Sequence, residues 1–273
     1  SFKLDARERV RLCVLAVFAV NSGGVILITG DVTTLMIFSA GYVTISQLFS
    51  LLLPMLAGVF VLMSLFLLHS NRHIEALPNS QNIEKLDVVI GVLFFCTIIS
   101  TMALSVAYSV PPVLTFLSGL SVMLMIGGLV NRFHHEVHLL EYIRKIQFDT
   151  LLFFLGILLI VGALKEVGVL MWLTEFYLSL APEWSNALMG VLSALLDNVP
   201  LTAAILKAEP ELSTHQWLSL VYAVGVGGSI LVIGSAAGIV AMSREKDLTF
   251  FSYLRYAPHI LIAYVAGYCL TLL

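Results

Sequence analysis

Between Ile45 and Leu68 the chain carries no charged side chain. A helix needs about 20 apolar residues to cross the hydrocarbon core of a bilayer, and this stretch has them. Leu86–Ser109, Val113–Val130 and Phe148–Leu164 read as further spans, and Pro258–Leu273 as a shorter last one. Charged residues make up 11% of the 273, against about 25% in soluble domains, too few to cover a water-facing surface. The expected fold class is all-α: a polytopic membrane protein whose main partner is the lipid bilayer. A net charge of −3 gives no sign of a nucleic-acid partner. Cys13, Cys96 and Cys269 stand alone in apolar stretches, without CxxC or metal-ligand spacing, and read as small buried hydrophobes. No cofactor is expected.

Three other apolar stretches, Val10–Ala40, Trp184–Lys207 and Gln216–Met242, are interrupted near the middle by glycine, proline or polar residues. Leu170–Leu180 is short and bounded by Pro182, which leaves both an interfacial helix and a span open. Basic residues mark the cytoplasmic side of a membrane. Most of the fourteen cluster in four places: Lys3, Arg7, Arg9 and Arg11; Arg72 and Lys85; Arg132, Arg144 and Lys145; Arg244, Lys246 and Arg255. Putting all four inside makes Val10–Ala40 run outward and Gln216–Met242 run inward. Trp184–Lys207 then fits as a re-entrant hairpin. A full crossing paired with Leu170–Leu180 satisfies the charges equally well.

The strongest internal signal is a self-match. VFAVNSGGVILITG at 17–30 aligns without gaps with VYAVGVGGSILVIG at 221–234, eight of fourteen positions being identical at an offset of 204. The shared glycines are Gly23, Gly24 and Gly30 against Gly227, Gly228 and Gly234, and at the same offset Pro54 falls on Pro258. The charge rule gives the two copies opposite directions. Paired interrupted helices in an inverted repeat are the architecture of secondary transporters. A backbone broken inside the hydrocarbon layer is tolerated only where it lines a cavity, and there its carbonyls can coordinate ions.

The expected organisation is 1–70 as the end of a first inverted repeat, 71–85 as a cytoplasmic linker and 86–273 as a second repeat. The second repeat would hold a re-entrant hairpin at 184–208 and a broken helix at 216–242. At the repeat offset the partner of Asp197 falls before residue 1. Roughly 120 or more residues, the missing N-terminal part of the same protein, are therefore expected upstream if the repeats are of similar length. An Asp-Asn motif is expected within ~10 residues before Ser1.

Asp31, in TGDVTT, and Asp197, in LLDNVP, lie at these interruptions. A carboxylate at membrane depth costs at least ~2.5 kcal/mol, which makes it a candidate for function. Burial disfavours the ionised form of a carboxylate, so such a group holds a proton or a sodium ion but not comfortably both. With the hydroxyls of Thr33, Thr34 and Thr202, the amides of Asn21 and Asn198, and freed carbonyls, the two acids offer an all-oxygen site for a hard cation such as sodium. Ser22, Ser229 and Ser235 are further candidates, although serine often bonds back to its own helix. Both acids can also act as helix caps. Asn198, close before Pro200, reads as a hairpin tip. Lys165 and Glu166 read as an interfacial ion pair, Asp149 as a helix cap, and His134, His135 and His138 as part of a solvated cytoplasmic loop.

NSGGVILITGDVTT at 21–34, FFLGILLIVGAL at 153–164, LLDNVPLTAA at 195–204 and GGSILVIGSAAG at 227–238 resemble the NhaD-type sodium/proton antiporters of the ion-transporter superfamily. The resemblance implies two inverted repeats, each with a hairpin and a broken helix, and an elevator-like exchange of sodium or lithium for protons. It places Asp197 and Asn198 at the tip of the second hairpin. Asp31, Thr33 and Thr34 match the first broken helix, and Gly234 and Ser235 the second. The Trp-Ser-Pro run usual in the family before its Gly-Asp is replaced here by Leu27–Thr29.

Two other readings compete. A carrier of an anion such as a carboxylate or arsenite occurs in the same superfamily, but two acids at the breaks argue against it unless sodium is co-bound. An intramembrane aspartyl protease would use a Gly-Asp like Gly30–Asp31, but its Tyr-Asp and Pro-Ala-Leu patterns are absent. The protein is therefore expected to be a transporter and not an enzyme. Its expected place is a bacterial inner membrane or an organelle membrane of bacterial origin, with a homodimer as one arrangement open to it.

Overall fold

The computed structural model describes residues 5–68, 85–108, 110–134, 166–196 and 198–273, with isolated positions between 152 and 164. Asp197, Asp149, Lys165, His135 and His138, and most of the expected span Phe148–Leu164, lie outside the described residues. Among the described residues every regular element is helical. Two helical runs are long and apolar enough to cross a membrane, Ile45–Leu67 and Val88–Ser105, and two shorter apolar helical stretches cover Val113–Ile126 and Ala257–Leu270.

The described residues fall into two compact units. One holds α5 (Lys85–Tyr108) and α6 (Pro112–His134), packed on each other. The other holds all remaining elements. It opens with α1 (Ala6–Gly24), α2 (Val32–Ser39), α3 (Ile45–Leu48) and α4 (Leu52–Leu67). It continues with α7 (Val169–Ser179), α8 (Pro182–Ser193), α9 (Asn198–Ala208) and α10 (Thr214–Gly227). It ends with α11 (Ala236–Arg244), α12 (Phe250–Leu254) and α13 (Ala257–Leu270). The starts are written in the sequence. Asp5 with Glu8, Thr44 with Gln47, Ser213 with Gln216 and Thr249 with Ser252 form capping boxes, satisfying backbone amides that have no partner in a helix's first turn. Pro182 opens α8, where its missing N–H costs nothing.

Element order repeats along this second unit. The starts of α2, α3 and α4, moved on by 204 residues, fall within one residue of the starts of α11, α12 and α13. The packing is reciprocal as well: α1 packs on α10 and α11, and α10 packs on α1 and α2. Among described elements the most extensive pairs are α4 with α13 and α8 with α10. Both depend on close backbone approach. A Cβ on Gly58 of α4 would come within 3.2 Å of the Ala263 carbonyl, and one on Gly267 of α13 within 2.7 Å of the Pro54 carbonyl. Small residues at such crossings are how apolar helices associate when burial from water is not available to drive them.

The outward faces are apolar. Leu53, Phe60 and Leu67 of α4 and Ile262 and Val265 of α13 are exposed, as suits helices with lipid as solvent. The cysteines correct the sequence reading for the same reason. Cys96 and Cys269 are exposed and Cys13 is half-buried, because a small apolar side chain facing lipid need not be covered by protein.

Candidate functional site

Asp31 ends the first interruption and caps α2. Its backbone is extended, at φ −142° and ψ 136°, which turns the carboxylate back over the helix start. Oδ1 accepts from the Thr33 amide at 3.3 Å, and Oδ2 accepts from the Thr33 hydroxyl at 2.5 Å. A third donor comes from far along the chain: Asn198 Nδ2 donates to Oδ1 at 3.4 Å. Thr33 and Thr34 are fully buried, and the Thr34 hydroxyl donates to the Val25 carbonyl across the interruption at 3.4 Å. The carboxylate therefore lies at the N-termini of two helices, α2 and α9, whose dipoles favour negative charge there.

The interruption itself is a backbone crossing. A Cβ on Gly24 would lie 2.9 Å from the Gly30 carbonyl oxygen, and one on Gly30 would lie 2.7 Å from that of Gly24. The second copy repeats this with Gly228 and Gly234, at 2.6 Å each way. Gly30 N–H bonds the Leu27 carbonyl in one copy and Gly234 N–H bonds that of Leu231 in the other. Gly23, Gly24 and Gly227 belong to the helices that precede the breaks, and a Cβ on Gly23 would meet nothing within 4 Å.

Ser235 stands in the second copy where Asp31 stands in the first. It caps α11 and accepts from the Gly238 amide at 3.2 Å. The same device thus holds a carboxylate once and a neutral hydroxyl once. Ser229 donates to the Val226 carbonyl of the helix before it at 2.5 Å, and Thr202 to the Asn198 carbonyl of its own helix at 2.9 Å, which leaves only lone pairs for a ligand. Asn21 and Ser22 differ: among the described residues Asn21 Nδ2 and Ser22 Oγ are buried without a hydrogen-bond partner, an arrangement that costs about 1–3 kcal/mol each. The structure brings Asp31, Thr33 and Asn198 into direct contact, while Asp197 lies outside the described residues.

Three features were not singled out from the sequence. Gly225, at the repeat position of Asn21, lies against the site, where its Cβ would fall 2.9 Å from Asp31 Oδ2. Tyr253 fixes the second break by donating to the Ser229 carbonyl at 2.5 Å. Asn186, fully buried in α8, accepts from Tyr177 at 2.7 Å and donates to the Gln216 carbonyl at 2.8 Å and to Ser219 at 2.9 Å. The mismatch at Asn21 and Gly225 within the repeat was the one available signal for the first of these.

Interrupted apolar helices that meet around a capped carboxylate define a class, the helical membrane transporters. The chain belongs to the citrate transporter family, whose model matches residues 3–227, and within the ion-transporter superfamily to the NhaD-type antiporters. It is 34% identical to a Na(+)/H(+) antiporter NhaD of Vibrio cholerae, over 96% of this chain and 61% of that one. It is 32% identical to the protein of that name from Vibrio parahaemolyticus, over 92% and 68%. It is also 32% identical to sodium/proton antiporter 2 of Arabidopsis thaliana, over 90% and 63%. The chain thus spans about three fifths of the length of the relatives it matches.

Proposed function

We propose that the protein exchanges sodium or lithium for protons across a membrane, with Asp31 as the group that takes either ion. The observation that carries this is the Asn198 amide donating to the Asp31 carboxylate. It joins the broken-helix motif to the LLDNVP motif, and it supports a single site built from both. Carboxylate, hydroxyl, amide and carbonyl oxygens suit a hard cation, and protonation of the carboxylate removes its charge and with it the cation's main partner.

In this reading 1–70 ends one inverted repeat, 71–85 links, and 86–273 forms the second repeat, with α8 and α9 as the two arms of a re-entrant hairpin and Asp197 at its tip. The reciprocal packing of α1 and α2 with α10 and α11 supports that pairing. The relatives' names support cation exchange over the anion carrier and the protease. A bacterial inner membrane, or an organelle membrane of bacterial origin, is the proposed location.

The full-length protein in everted vesicles tests the proposal. A pH gradient monitored by a fluorescent dye should collapse on adding sodium or lithium, and Asp31→Asn and Asp197→Asn should each suppress the response. Full activity in both variants would remove the site assignment.

A further inference from the structure

The two breaks hold the same backbone carbonyl by different means. Val25 in the first copy and Ser229 in the second are repeat partners, 204 residues apart. The Val25 carbonyl accepts from the Thr34 hydroxyl at 3.4 Å. The repeat partner of Thr34 is Gly238, where any Cβ would overlap the Val232 carbonyl oxygen. The second copy therefore has no room for a threonine there, and its donor comes from another helix. Thr44 and Thr249 head matching capping boxes, and four residues after them stand Leu48 and Tyr253, both fully buried. Leu48 has nothing to donate. Tyr253 gives its hydroxyl to the Ser229 carbonyl at 2.5 Å.

From Ser229 a short chain of contacts leads to Asp31. Ser229 is tied back to the Val226 carbonyl twice, by its amide at 3.0 Å and by its hydroxyl at 2.5 Å. Val226 follows Gly225, whose Cβ position lies 2.9 Å from Asp31 Oδ2. Gly225, Val226 and Gly227 are all buried, and a close-packed interior passes a displacement on to its neighbours. Without the Tyr253 hydroxyl the buried Ser229 carbonyl loses its donor, which is costly enough to move the turn. We propose that Tyr253 is a positioning residue for cation binding: by fixing where α10 ends, it sets the spacing between α10 and the Asp31 carboxylate. This rests on the reading of Asp31 as the cation site.

Tyr253→Phe keeps the ring and removes only the hydroxyl. Tyr268→Phe is the matched control, because Tyr268 also donates to a backbone carbonyl at 2.5 Å, that of Glu183 in the first turn of α8. In full-length protein both variants should lower Tm by a few degrees. Tyr253→Phe should raise half-saturating sodium about fivefold in vesicle exchange with the maximal rate kept, the signature of weakened binding and not of lost protein. Tyr268→Phe should leave half-saturating sodium unchanged. Hydrogen exchange followed by mass spectrometry reads the same link without transport. Tyr253→Phe should speed exchange at 228–231 and also at 31–34, where the Thr33 amide bonds Asp31, and Tyr268→Phe should do neither. In a sodium-responsive wild type, sodium should slow exchange at 228–231 by the reciprocal coupling, a readout that needs no variant. A wild type with no sodium response would refute the antiport reading, and exchange at 31–34 would then decide the role of Tyr253 by itself. Unchanged exchange at 31–34 or unchanged half-saturating sodium in Tyr253→Phe, equal changes in Tyr268→Phe, or no slowing by sodium in a responsive wild type would overturn the proposal.

Discussion

Gly225→Ala and Gly23→Ala should have opposite effects, although both put a methyl group near the end of a helix that precedes a break. At Gly225 the new Cβ falls 2.9 Å from Asp31 Oδ2 and well inside van der Waals contact with Val25 Cγ1. Val25 is fully buried and β-branched, so it cannot turn away freely. Overpacking of this kind costs about 1–3 kcal/mol, and the better helix propensity of alanine returns up to about 1 kcal/mol. The net loss is about 1–2 kcal/mol, a few degrees in Tm. Relief comes by displacing the carboxylate from Asn198 and Thr33, so the half-saturating sodium concentration should rise about tenfold, the equivalent of roughly 1.4 kcal/mol. At Gly23 the Cβ meets nothing within 4 Å, so the same change should leave sodium dependence unaltered and Tm equal or slightly higher. Thermal melting and sodium titration of vesicle transport, on full-length variants, measure both. If Gly225→Ala behaves like Gly23→Ala, the placement of α10 against Asp31 is wrong.

Thr33→Val removes the hydroxyl that donates to Asp31 Oδ2. Hydrogen bonds to charged groups contribute about 1.5–3 kcal/mol, so half-saturating sodium should rise tenfold or more while Thr33→Ser stays close to wild type; a wild-type value for valine excludes the contact. Asn186→Leu leaves the buried Tyr177 hydroxyl without its acceptor and should lower stability by about 1–3 kcal/mol in thermal melts, without altering sodium affinity in the folded fraction. Arg9→Gln breaks the pairing with Asp247 and Glu245. It should lower Tm slightly at low ionic strength, and the difference from wild type should vanish in ~1 M salt, because exposed pairs are screened.

The repeat was legible because its glycines answer to local geometry. Gly24 with Gly30, and Gly228 with Gly234, admit no side chain where the backbone crosses itself, so the two copies keep the same spacing. The cap at Asp31 was legible for a similar reason: its bonds to Thr33 span two residues. The bond from Asn198, 167 residues away, leaves no trace in local spacing. Nor does the role of Gly225, whose neighbours come from another helix. Asn186 was not singled out, because only its tertiary partners show that it is fully buried. The cysteines were misread because burial in protein was assumed where exposure to lipid serves equally well.

Sodium titrations of purified full-length protein at a series of pH values address the Asp31 assignment most directly. Affinity should weaken steadily as the solution is made more acidic, with protons released when sodium binds, and Asp31→Asn should show neither the release nor the pH dependence. Sodium binding that ignores pH, or that survives unchanged in Asp31→Asn, would contradict the claim that both ions meet at this carboxylate.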